Sequence, residues 1–291
     1  MSWWDDRAGL SGTVAIIAGG AGGLGRAATM DLAANGVRVA VVDRDPAAAS
    51  EVRGLLADAG ADAFVGVGDV REPESLAAFF SSTAEKWGRL DTLVNVVGGT
   101  FKADFSTTSP KAWDALLRTN LNHVFHATSL AIPLMRAGGR GGSIINFTTI
   151  EAHRAAPGFS VYAAAKAAVS HFARSLAVEL APDQIRVNCI APDITPTPNM
   201  ISIGDQINSI MTPLGASVAI PMGRVGELAD IGNAVVFLAS RLSSYITGTT
   251  LHPDGGTSAA SGWFNWPGEG FSNSLPRDVA DFLSRPDATS H

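Results

Sequence analysis

Short apolar runs rich in β-branched residues alternate with longer helical patterns along most of this 291-residue chain. The first run, Thr13–Ala18, leads into a helical pattern over Gly23–Asn35, which Gly36 ends. Strands that alternate with helices pair in parallel through right-handed crossovers. The alternation therefore predicts an α/β fold, a doubly wound parallel sheet in a single domain. Such a sheet binds its ligands at the carboxyl ends of its strands.

The rest of the chain continues this pattern. The other predicted strands are Val37–Asp43, Ala63–Val67, Thr92–Val97, Ser143–Thr148, Arg186–Ile190 and Thr249–His252. The other predicted helices are one that Pro46 opens, then Pro73–Trp87, Pro110–Arg136, Val161–Leu180 and Glu227–Ser240. The predicted domain spans residues 11–257, between an N-terminal extension of residues 1–10 and a C-terminal tail of residues 258–291.

Composition narrows the possible functions. Apolar residues make up 46% of the chain and charged residues 16%, which is typical of a folded globular protein. The net charge is -6 and no basic run occurs, so neither nucleic acid nor a membrane surface is an expected partner. The single Cys189 excludes an internal disulfide, and we predict no metal site. Because residues 1–10 lack the apolar core of a signal peptide, we expect a cytoplasmic protein.

A glycine-rich turn separates the first predicted strand from its helix, with Gly19, Gly23, Leu24 and Gly25 as candidate cofactor contacts. Glycine lets the backbone approach a pyrophosphate, and the helix N-terminus offers free N–H groups to the anion. A glycine pattern alone also serves plain tight turns. Its place after a strand and before a helix favours a nicotinamide dinucleotide site in a Rossmann-like sheet.

The end of the second predicted strand indicates which dinucleotide binds. Asp43 lies 18 residues after Gly25, where a carboxylate can accept hydrogen bonds from the adenosine ribose and repel the 2′-phosphate of NADP. Gly22, just before Gly23, offers no positive charge to that phosphate. Both features predict NAD, although Arg44 could hold a phosphate if Asp43 moved aside.

Three further residues at strand ends are candidate cofactor contacts. Asp69 and Val70 follow the third predicted strand, and Asn95 lies in the fourth. We expect them to contact the adenine or to support the glycine turn. Taken singly, each would more often cap a helix or end a strand.

A second group of residues has the pattern of a proton donor. Tyr162 and Lys166 are one helical turn apart, so they share a face of their helix. The lysine is expected to lower the pKa of the phenol and to bind the nicotinamide ribose. Thr149 ends the fifth strand, where it could bind the substrate oxygen, and Asn120 could order water near Lys166. The predicted chemistry is hydride transfer, with Tyr162 as general acid or base.

These motifs together resemble the short-chain dehydrogenase/reductase family over about residues 11–257. The motifs that carry the resemblance are Ala18–Gly25, Asn95–Gly98, Thr119–Leu121, the set Thr149, Tyr162 and Lys166, then Pro192–Thr197 and His252–Gly256. The resemblance implies an NAD(P)-dependent dehydrogenase or reductase that acts on CH–OH groups. It implies the catalytic set Asn120, Thr149, Tyr162 and Lys166. It further implies that Tyr162 and Lys166 contact the cofactor, together with Gly98, Pro192, Thr195 and Thr197.

The chain departs from the family pattern at several positions. Ala18 lacks a hydroxyl that would brace the glycine turn, and Val96 and Val97 are bulkier than the family's residues. Asp193 replaces a glycine near the nicotinamide, and Thr149 replaces serine. Threonine keeps the hydroxyl, but its methyl group restricts the side chain and could crowd the substrate.

The loop of residues 193–222 is the predicted substrate lid. Its segment Asn199–Pro221 holds many aliphatic residues and one charge, Asp205, which suits a bulky hydrophobic secondary alcohol or ketone of steroid, terpene or aromatic type. A lid that simply packs on its own domain is the structural alternative. The alternative functions are a 3-oxoacyl-carrier-protein reductase, disfavoured by the acidic Pro182-Asp183 segment, and a non-catalytic NAD(H) sensor.

The family resemblance also implies a homotetramer. Its contacts would run through the predicted helices Pro110–Arg136 and Val161–Leu180. The tail beyond Thr257 contains Trp263, Phe264 and Trp266, and we expect it to reach over a neighbouring active site.

Overall fold

The computed structural model describes residues 3–197, 209–276 and 278–280. The strands of its main sheet are β1 Val14–Ala18, β2 Arg38–Asp43, β3 Ala63–Val67, β4 Thr92–Asn95, β5 Gly142–Phe147, β6 Ile185–Ile190 and β7 Thr250–Leu251. The longer helices are α1 Trp3–Ala8, α2 Gly23–Ala34, α3 Pro46–Asp58, α4 Pro73–Trp87, α5 Pro110–Leu117, α6 His123–Gly138, α7 Ser160–Glu179, α8 Pro213–Ala219 and α9 Leu228–Ala239.

The main sheet has the strand order β3-β2-β1-β4-β5-β6-β7, and every pair is parallel. This order confirms the predicted doubly wound α/β fold. The order reverses between β1 and β4, so a crevice opens at their carboxyl ends. The glycine turn, the end of β2 and the segment after β4 all lie at that edge of the sheet.

Side chains alternate between two apolar faces of the sheet. Ile16, Leu93 and Ile144 belong to the core on the face that α4, α6 and α7 cover. The neighbouring positions Ile17 and Val94 belong to the core on the opposite face, under α2, α3 and α9. Each fully buried aliphatic side chain contributes roughly 1.5–3 kcal/mol. These two layers hold the strand ends, and therefore the site, in place.

The predicted long helix Pro110–Arg136 is interrupted. Residues Arg118–Asn122 form a π-helical segment between α5 and α6. Within it, the Asn120 side chain donates to the carbonyl of Leu116 over 2.9 Å, and that carbonyl lies four residues earlier. A side chain on an i−4 carbonyl displaces the regular backbone ladder, as in the π-bulges found at functional sites. A helical pattern in the sequence does not reveal such a slip.

The tail contains structure that the sequence pattern did not predict. Phe264–Trp266 (β8) and Gly270–Ser272 (β9) form an antiparallel hairpin, and β8 packs against α8 of the lid. Of the predicted apolar lid residues, Ile201, Ile203 and Ile207 lie outside the described residues, whereas Ile210, Met211 and Leu214 lie within them. The described tail therefore contacts the lid of its own chain.

Candidate active site

Lys166 joins the ends of two strands beneath the crevice. It lies on α7, only 3% of the residue is exposed, and its Nζ donates to the carbonyl of Phe147 over 3.0 Å and to that of Val97 over 3.5 Å. Burial lowers the pKa of this ammonium to about 8. The two carbonyls hold Lys166 where β4 and β5 end.

The side chains of Asn120 and Lys166 both approach the adjacent glycines Gly98 and Gly99. The Asn120 amide donates to the carbonyl of Gly99 over 2.8 Å, and its Oδ1 accepts from the Gly99 N–H over 3.1 Å. A Cβ on the neighbouring Gly98 would lie 3.1 Å from Asn120 Oδ1 and 3.2 Å from Lys166 Nζ. The structure thus brings the predicted residues Gly98, Asn120 and Lys166 together, and the glycine leaves room for both side chains.

Thr149 and Tyr162 form the second half of the site. Thr149 follows β5, and its hydroxyl accepts from the N–H of Glu151 over 3.3 Å. Burial raises the pKa of Tyr162 to about 12, a hydrogen bond with the Thr149 side chain opposes this rise, and the charge of Glu151 adds to it. Lys166 is not among the groups that shift this pKa, so the lowering expected of the lysine stays a prediction. The effect of Thr149 on this pKa is consistent with the hydrogen bond expected of the serine that it replaces.

The glycine turn has the geometry that requires glycine. Gly19 has a φ of +88°, and a Cβ there would meet Val97 Cγ2 at 2.6 Å. A Cβ on Gly25 would lie 1.9 Å from the carbonyl oxygen of Gly19. The bulk of Val97 noted in the sequence therefore fills the space beside Gly19. Around Gly22 a Cβ would meet nothing within 4 Å, so the turn stays open towards the crevice.

Two residues that the sequence analysis missed brace this turn. The buried Thr29 hydroxyl donates to the carbonyl of Gly20 over 2.9 Å. Arg26 Nε donates to the carbonyl of Ala21 over 2.9 Å. These bonds supply the support that Ala18 cannot give. Their positions on one face of α2, three residues apart, are the only sequence signal for this role.

The strand-end residues have different surroundings. Asp43 Oδ2 accepts from the N–H of Ala21 over 3.1 Å, which ties β2 to the glycine turn. Arg71 binds the carboxylate of Asp69, and these hydrogen bonds lower the pKa of Asp69. The neighbouring Val70 is buried, and Arg44 is exposed.

Asn95 is not brought to the glycine turn. Its Nδ2 donates to Asn146 Oδ1 over 2.8 Å, and only 1% of the residue is exposed. The physical reason is the alternation of the strand, which points this side chain into the core on the side of α6. Its contact is with the sheet rather than with the crevice.

The segment after β6 closes the other side of the crevice. The Pro192 carbonyl accepts from the N–H of Ile150 over 3.2 Å, which joins this segment to the Thr149 loop. A Cβ on Gly23 would lie 3.3 Å from Thr197 Cγ2. The Thr195 hydroxyl is buried without a hydrogen-bond partner. These features suit the binding of a nicotinamide dinucleotide. They are the open glycine turn, the adjacent Thr197 and the unpaired hydroxyl of Thr195.

Charged residues gather beside Thr149. Arg154 Nη2 lies 2.8 Å from Glu151 Oε1 and 3.9 Å from Asp193 Oδ1. Burial raises the pKa of Asp193, and Arg154 opposes this rise. The rings of His153 and His252 meet edge-on with centroids 4.8 Å apart. Residues that follow β5, β6 and β7 therefore lie together in one cluster of charged and titratable side chains. Asp193, which stands where the family has glycine, adds a carboxylate to this cluster.

The described residues do not provide two other kinds of site. No group of three or more His, Cys, Asp or Glu side chains among them could hold a metal ion. Within the same ranges, no helix has both the length and the apolarity to cross a membrane.

A Rossmann-like sheet with a tyrosine and a lysine on one helix defines the site of a nicotinamide-dependent oxidoreductase. A family model described as "Enoyl-(Acyl carrier protein) reductase" matches residues 19–258. Relatives and solved structures more than 30% identical match most of the chain. The chain therefore belongs to the short-chain dehydrogenase/reductase family, and it is a dehydrogenase/reductase enzyme.

Three relatives illustrate the range of the family. The 3-oxoacyl-[acyl-carrier-protein] reductase of Thermotoga maritima is 33% identical over 85% of this chain and 98% of its own length. The 3alpha-hydroxysteroid dehydrogenase of Mediterraneibacter gnavus is 33% identical over 84% of this chain and 97% of its own. The carveol dehydrogenase of Mycobacterium avium in complex with NAD superposes with a TM-score of 0.78, at 31% identity, over 85% of this chain and 98% of that structure.

Proposed function

We propose that this enzyme interconverts a bulky hydrophobic secondary alcohol and its ketone, with NAD as the hydride acceptor or donor. The proposal rests on two pairs of residues that lie at the same crevice. Thr149 lies beside Tyr162 and opposes the rise of its pKa, and Asn120 and Lys166 approach each other at Gly98. Acid–base chemistry beside an open glycine turn is what hydride transfer to or from a carbinol carbon requires.

Each catalytic residue has a distinct role in the proposal. Tyr162 takes the hydroxyl proton during oxidation and returns it during reduction. Thr149 binds the substrate oxygen and stabilises the phenolate through its hydrogen bond. The Lys166 ammonium supplies the positive charge that stabilises the phenolate, and Asn120 holds the π-helical segment against Gly99. The bound nicotinamide supplies the hydride chemistry.

The cofactor is held by the residues around the crevice. We assign the pyrophosphate to the turn of Gly19, Gly23, Leu24 and Gly25, and the ribose to Asp43, with Arg44 beside it. The remaining assigned contacts are Asp69, Val70, Gly98, Tyr162, Lys166, Pro192, Thr195 and Thr197. Asn95 supports the sheet beneath them. The carboxylate of Asp43 favours NAD over NADP, and the NAD-bound carveol dehydrogenase is consistent with that choice.

The apolar character of the substrate rests on aromatic residues near Tyr162. The aromatic residues Phe101, Phe105 and Phe159 line part of the space next to Tyr162. Phe101 and Phe105 are exposed, so their rings are available to a ligand. Relatives named for a hydroxysteroid and for carveol support an alicyclic alcohol or ketone.

The second candidate is reduction of a 3-oxoacyl group on a carrier protein. It is supported by several relatives named 3-oxoacyl-[acyl-carrier-protein] reductase. The chain carries a net charge of -6, which disfavours an acidic carrier. A non-catalytic NAD(H) sensor is the third possibility, and the complete set Asn120, Thr149, Tyr162 and Lys166 argues against it.

We also propose a homo-oligomer, most simply a tetramer, formed through α5, α6 and α7. Phe125 on α6 is 40% exposed and meets Phe172 on α7 edge-on at 4.7 Å, and Val178 on α7 is 78% exposed. Light scattering that gives the mass of a monomer would refute this. The cytoplasmic setting stays a prediction.

The deciding experiment follows nicotinamide absorbance with NAD and NADP. The panel contains alicyclic, steroid and aromatic alcohols and ketones, together with a 3-oxoacyl thioester as the rival substrate. Tyr162→Phe is the control for catalysis. Turnover that the control abolishes supports a dehydrogenase, and the preferred substrate separates the first two candidates. NADH binding without any turnover would favour the sensor.

A further inference from the structure

Two loops meet beside Tyr162, and charged side chains connect them. The loop after β5 begins with Thr149, carries Glu151 and Arg154, and leads into α7, on which Tyr162 lies. The loop after β6 contributes Asp193. A backbone hydrogen bond of 3.2 Å joins the two loops. The charged side chains of both loops are therefore held close to the phenol.

Arg154 lies between two carboxylates. Its Nη2 is 2.8 Å from Glu151 Oε1 and 3.9 Å from Asp193 Oδ1, and its Nε donates to Glu151 Oε2 over 3.4 Å. The side chain of Glu151 is 25% exposed and that of Asp193 is 10% exposed. Burial by itself would lower the pKa of Arg154, whereas these two partners raise it. One guanidinium is therefore shared by two partly buried carboxylates.

Glu151 brings its negative charge close to the phenol of Tyr162. The N–H of Glu151 donates to the Thr149 hydroxyl over 3.3 Å, and Thr149 lies beside Tyr162. The short turn Ile150–Ala152, which contains Glu151, packs against α7. Burial is the main cause that raises the pKa of Tyr162, and the charge of Glu151 raises it further. A carboxylate at this place opposes formation of the phenolate.

The phenol responds to Glu151 and not directly to Arg154. Arg154 is not among the groups that shift the pKa of Tyr162. The same holds for the other charged or titratable residues on the surrounding segments, which are Lys102 and Asp104 after β4, His153 after β5, Asp193 after β6 and Lys166 on α7. Any influence of Arg154 on the phenol therefore acts through the carboxylate that it binds.

We propose that Arg154 is a positioning residue for catalysis, because its guanidinium neutralises the carboxylate of Glu151 beside Tyr162 and so favours the phenolate that alcohol oxidation needs. Since the guanidinium and the carboxylate are in hydrogen-bond contact, the field of one largely cancels that of the other at a third group nearby. The role in oxidation rests on the proposed function, whereas the effect on the ionisation of Tyr162 does not.

The ionisation of Tyr162 can be measured directly, because the chain has two tyrosines and the other one, Tyr245, is fully exposed. Carbon-13 at Cζ of tyrosine gives an NMR signal that moves as the phenol ionises, and Tyr245→Phe assigns the two signals. The full chain is titrated from about pH 8 to about pH 11. At equal pH, the ionised fraction of Tyr162 should be about threefold lower in Arg154→Met and about threefold higher in Glu151→Gln.

A double variant separates this role from a structural one. If Arg154 acts through Glu151, adding Arg154→Met to Glu151→Gln has no further effect on the ionised fraction, because no carboxylate remains to be exposed. Arg154→Lys keeps the positive charge and should stay close to the parent. Arg136→Met is the matched control, since Arg136 lies 2.7 Å from Asp183 and is 51% exposed, compared with 44% for Arg154. Asp183 precedes β6, at the opposite edge of the sheet.

The kinetic consequence is tested by the pH dependence of alcohol oxidation. Arg154→Met should move the acidic limb of kcat up by about half a pH unit, which is roughly a threefold loss of rate below that limb. Glu151→Gln should move the limb down by a similar amount, and KM should stay within about twofold of the parent in both variants. A raised KM with an unmoved limb would make Arg154 a substrate contact and refute the proposal.

The NMR titration decides the remaining outcomes. An unchanged ionised fraction in Arg154→Met and Glu151→Gln overturns the proposal, and so does an equal effect of Arg154→Met with and without Glu151. If Arg154→Met does not fold, Glu151→Gln decides, and the absence of its rise in ionised fraction refutes the proposal. A shift by NMR without a shift of the kinetic limb would support the coupling of Arg154 to Tyr162 and contradict the acid–base role of Tyr162 in the proposed function.

Discussion

The carboxylate of Asp43 accepts a hydrogen bond from the backbone N–H of Ala21 over 3.1 Å. The residue that we propose to select the cofactor therefore also holds the glycine turn. The Asp43 side chain therefore contributes both to cofactor specificity and to the stability of the turn, and substitutions at this position can separate the two effects.

Asp43→Asn should change cofactor choice with little loss of stability. Asparagine keeps an acceptor for Ala21 but removes the negative charge that repels the 2′-phosphate, so the preference for NAD over NADP should fall roughly tenfold. Asp43→Ala should show a similar fall and also lose about 1 kcal/mol of unfolding free energy. Steady-state kinetics with both cofactors and denaturant titrations measure the two effects. An unchanged cofactor ratio in both variants would refute the role of the charge.

Thr149 variants test the hydroxyl in the active site. Thr149→Ser keeps the hydrogen bond with Tyr162, so activity should remain within a few fold of the parent. Thr149→Ala removes it, and the apparent pKa for oxidation should rise because the hydrogen bond opposes the rise that burial causes. The rate at neutral pH should then fall by about 10²-fold. Loss of activity in the serine variant with retention in the alanine variant would contradict this assignment.

Lys166 should reduce stability at neutral pH. Its pKa falls from 10.5 in the unfolded chain to about 8 in the folded one, so the unfolded chain binds more protons between these values. Stability should therefore rise as the pH increases from about 8 to 10.5, and below pH 8 the full cost of up to about 3 kcal/mol is present.

Lys166→Met tests this cost. It should be inactive, more stable than the parent at pH 7 and free of that rise in stability with pH. Chemical denaturation at a series of pH values provides the measurement. If parent and variant share the same pH slope, the slope has another source.

Arg154 and Asp193 should be energetically coupled. Arg154→Met leaves the nearly buried carboxylate of Asp193 without its cation and should lower the unfolding free energy by about 1–2 kcal/mol. Adding Asp193→Asn should recover part of that loss. A double-mutant cycle from denaturation curves gives the coupling, expected at about 1 kcal/mol. Additive losses would show that the 3.9 Å contact is not a working ion pair.

The C-terminal hairpin should act through the lid of its own chain. Ending the chain after Gly262 removes β8, which packs against α8. We expect KM for the substrate to rise several fold, while the affinity for NADH in a fluorescence titration stays constant. The affinity for NADH is the internal reference, because the proposed cofactor contacts at the glycine turn and Asp43 lie far from the deleted segment in the sequence. Unchanged kinetics would exclude a role for the tail.

The helices and strands were largely predictable, because their signals are local. The glycine turn after Thr13–Ala18, the prolines that open α3 and α4 and the period of the apolar residues each act within a few residues. The motif spacing similarly located Tyr162 and Lys166, since one helical turn separates them. The interruption at Asn120 was not predictable, because it depends on where Gly99 lies in space.

The sequence by itself determined the fold class, the family and the identity of the chemical groups. Only the tertiary structure decided what surrounds those groups. It directs Asn95 into the core rather than to the turn, ties Asp43 to Ala21, joins Arg154 to Asp193 and leaves both nitrogens of His123 unpaired. The physical reason is that hydrophobic periodicity and turn formation depend on residues close together in the sequence. Burial and hydrogen bonding depend on residues that come into contact only after the strands have paired.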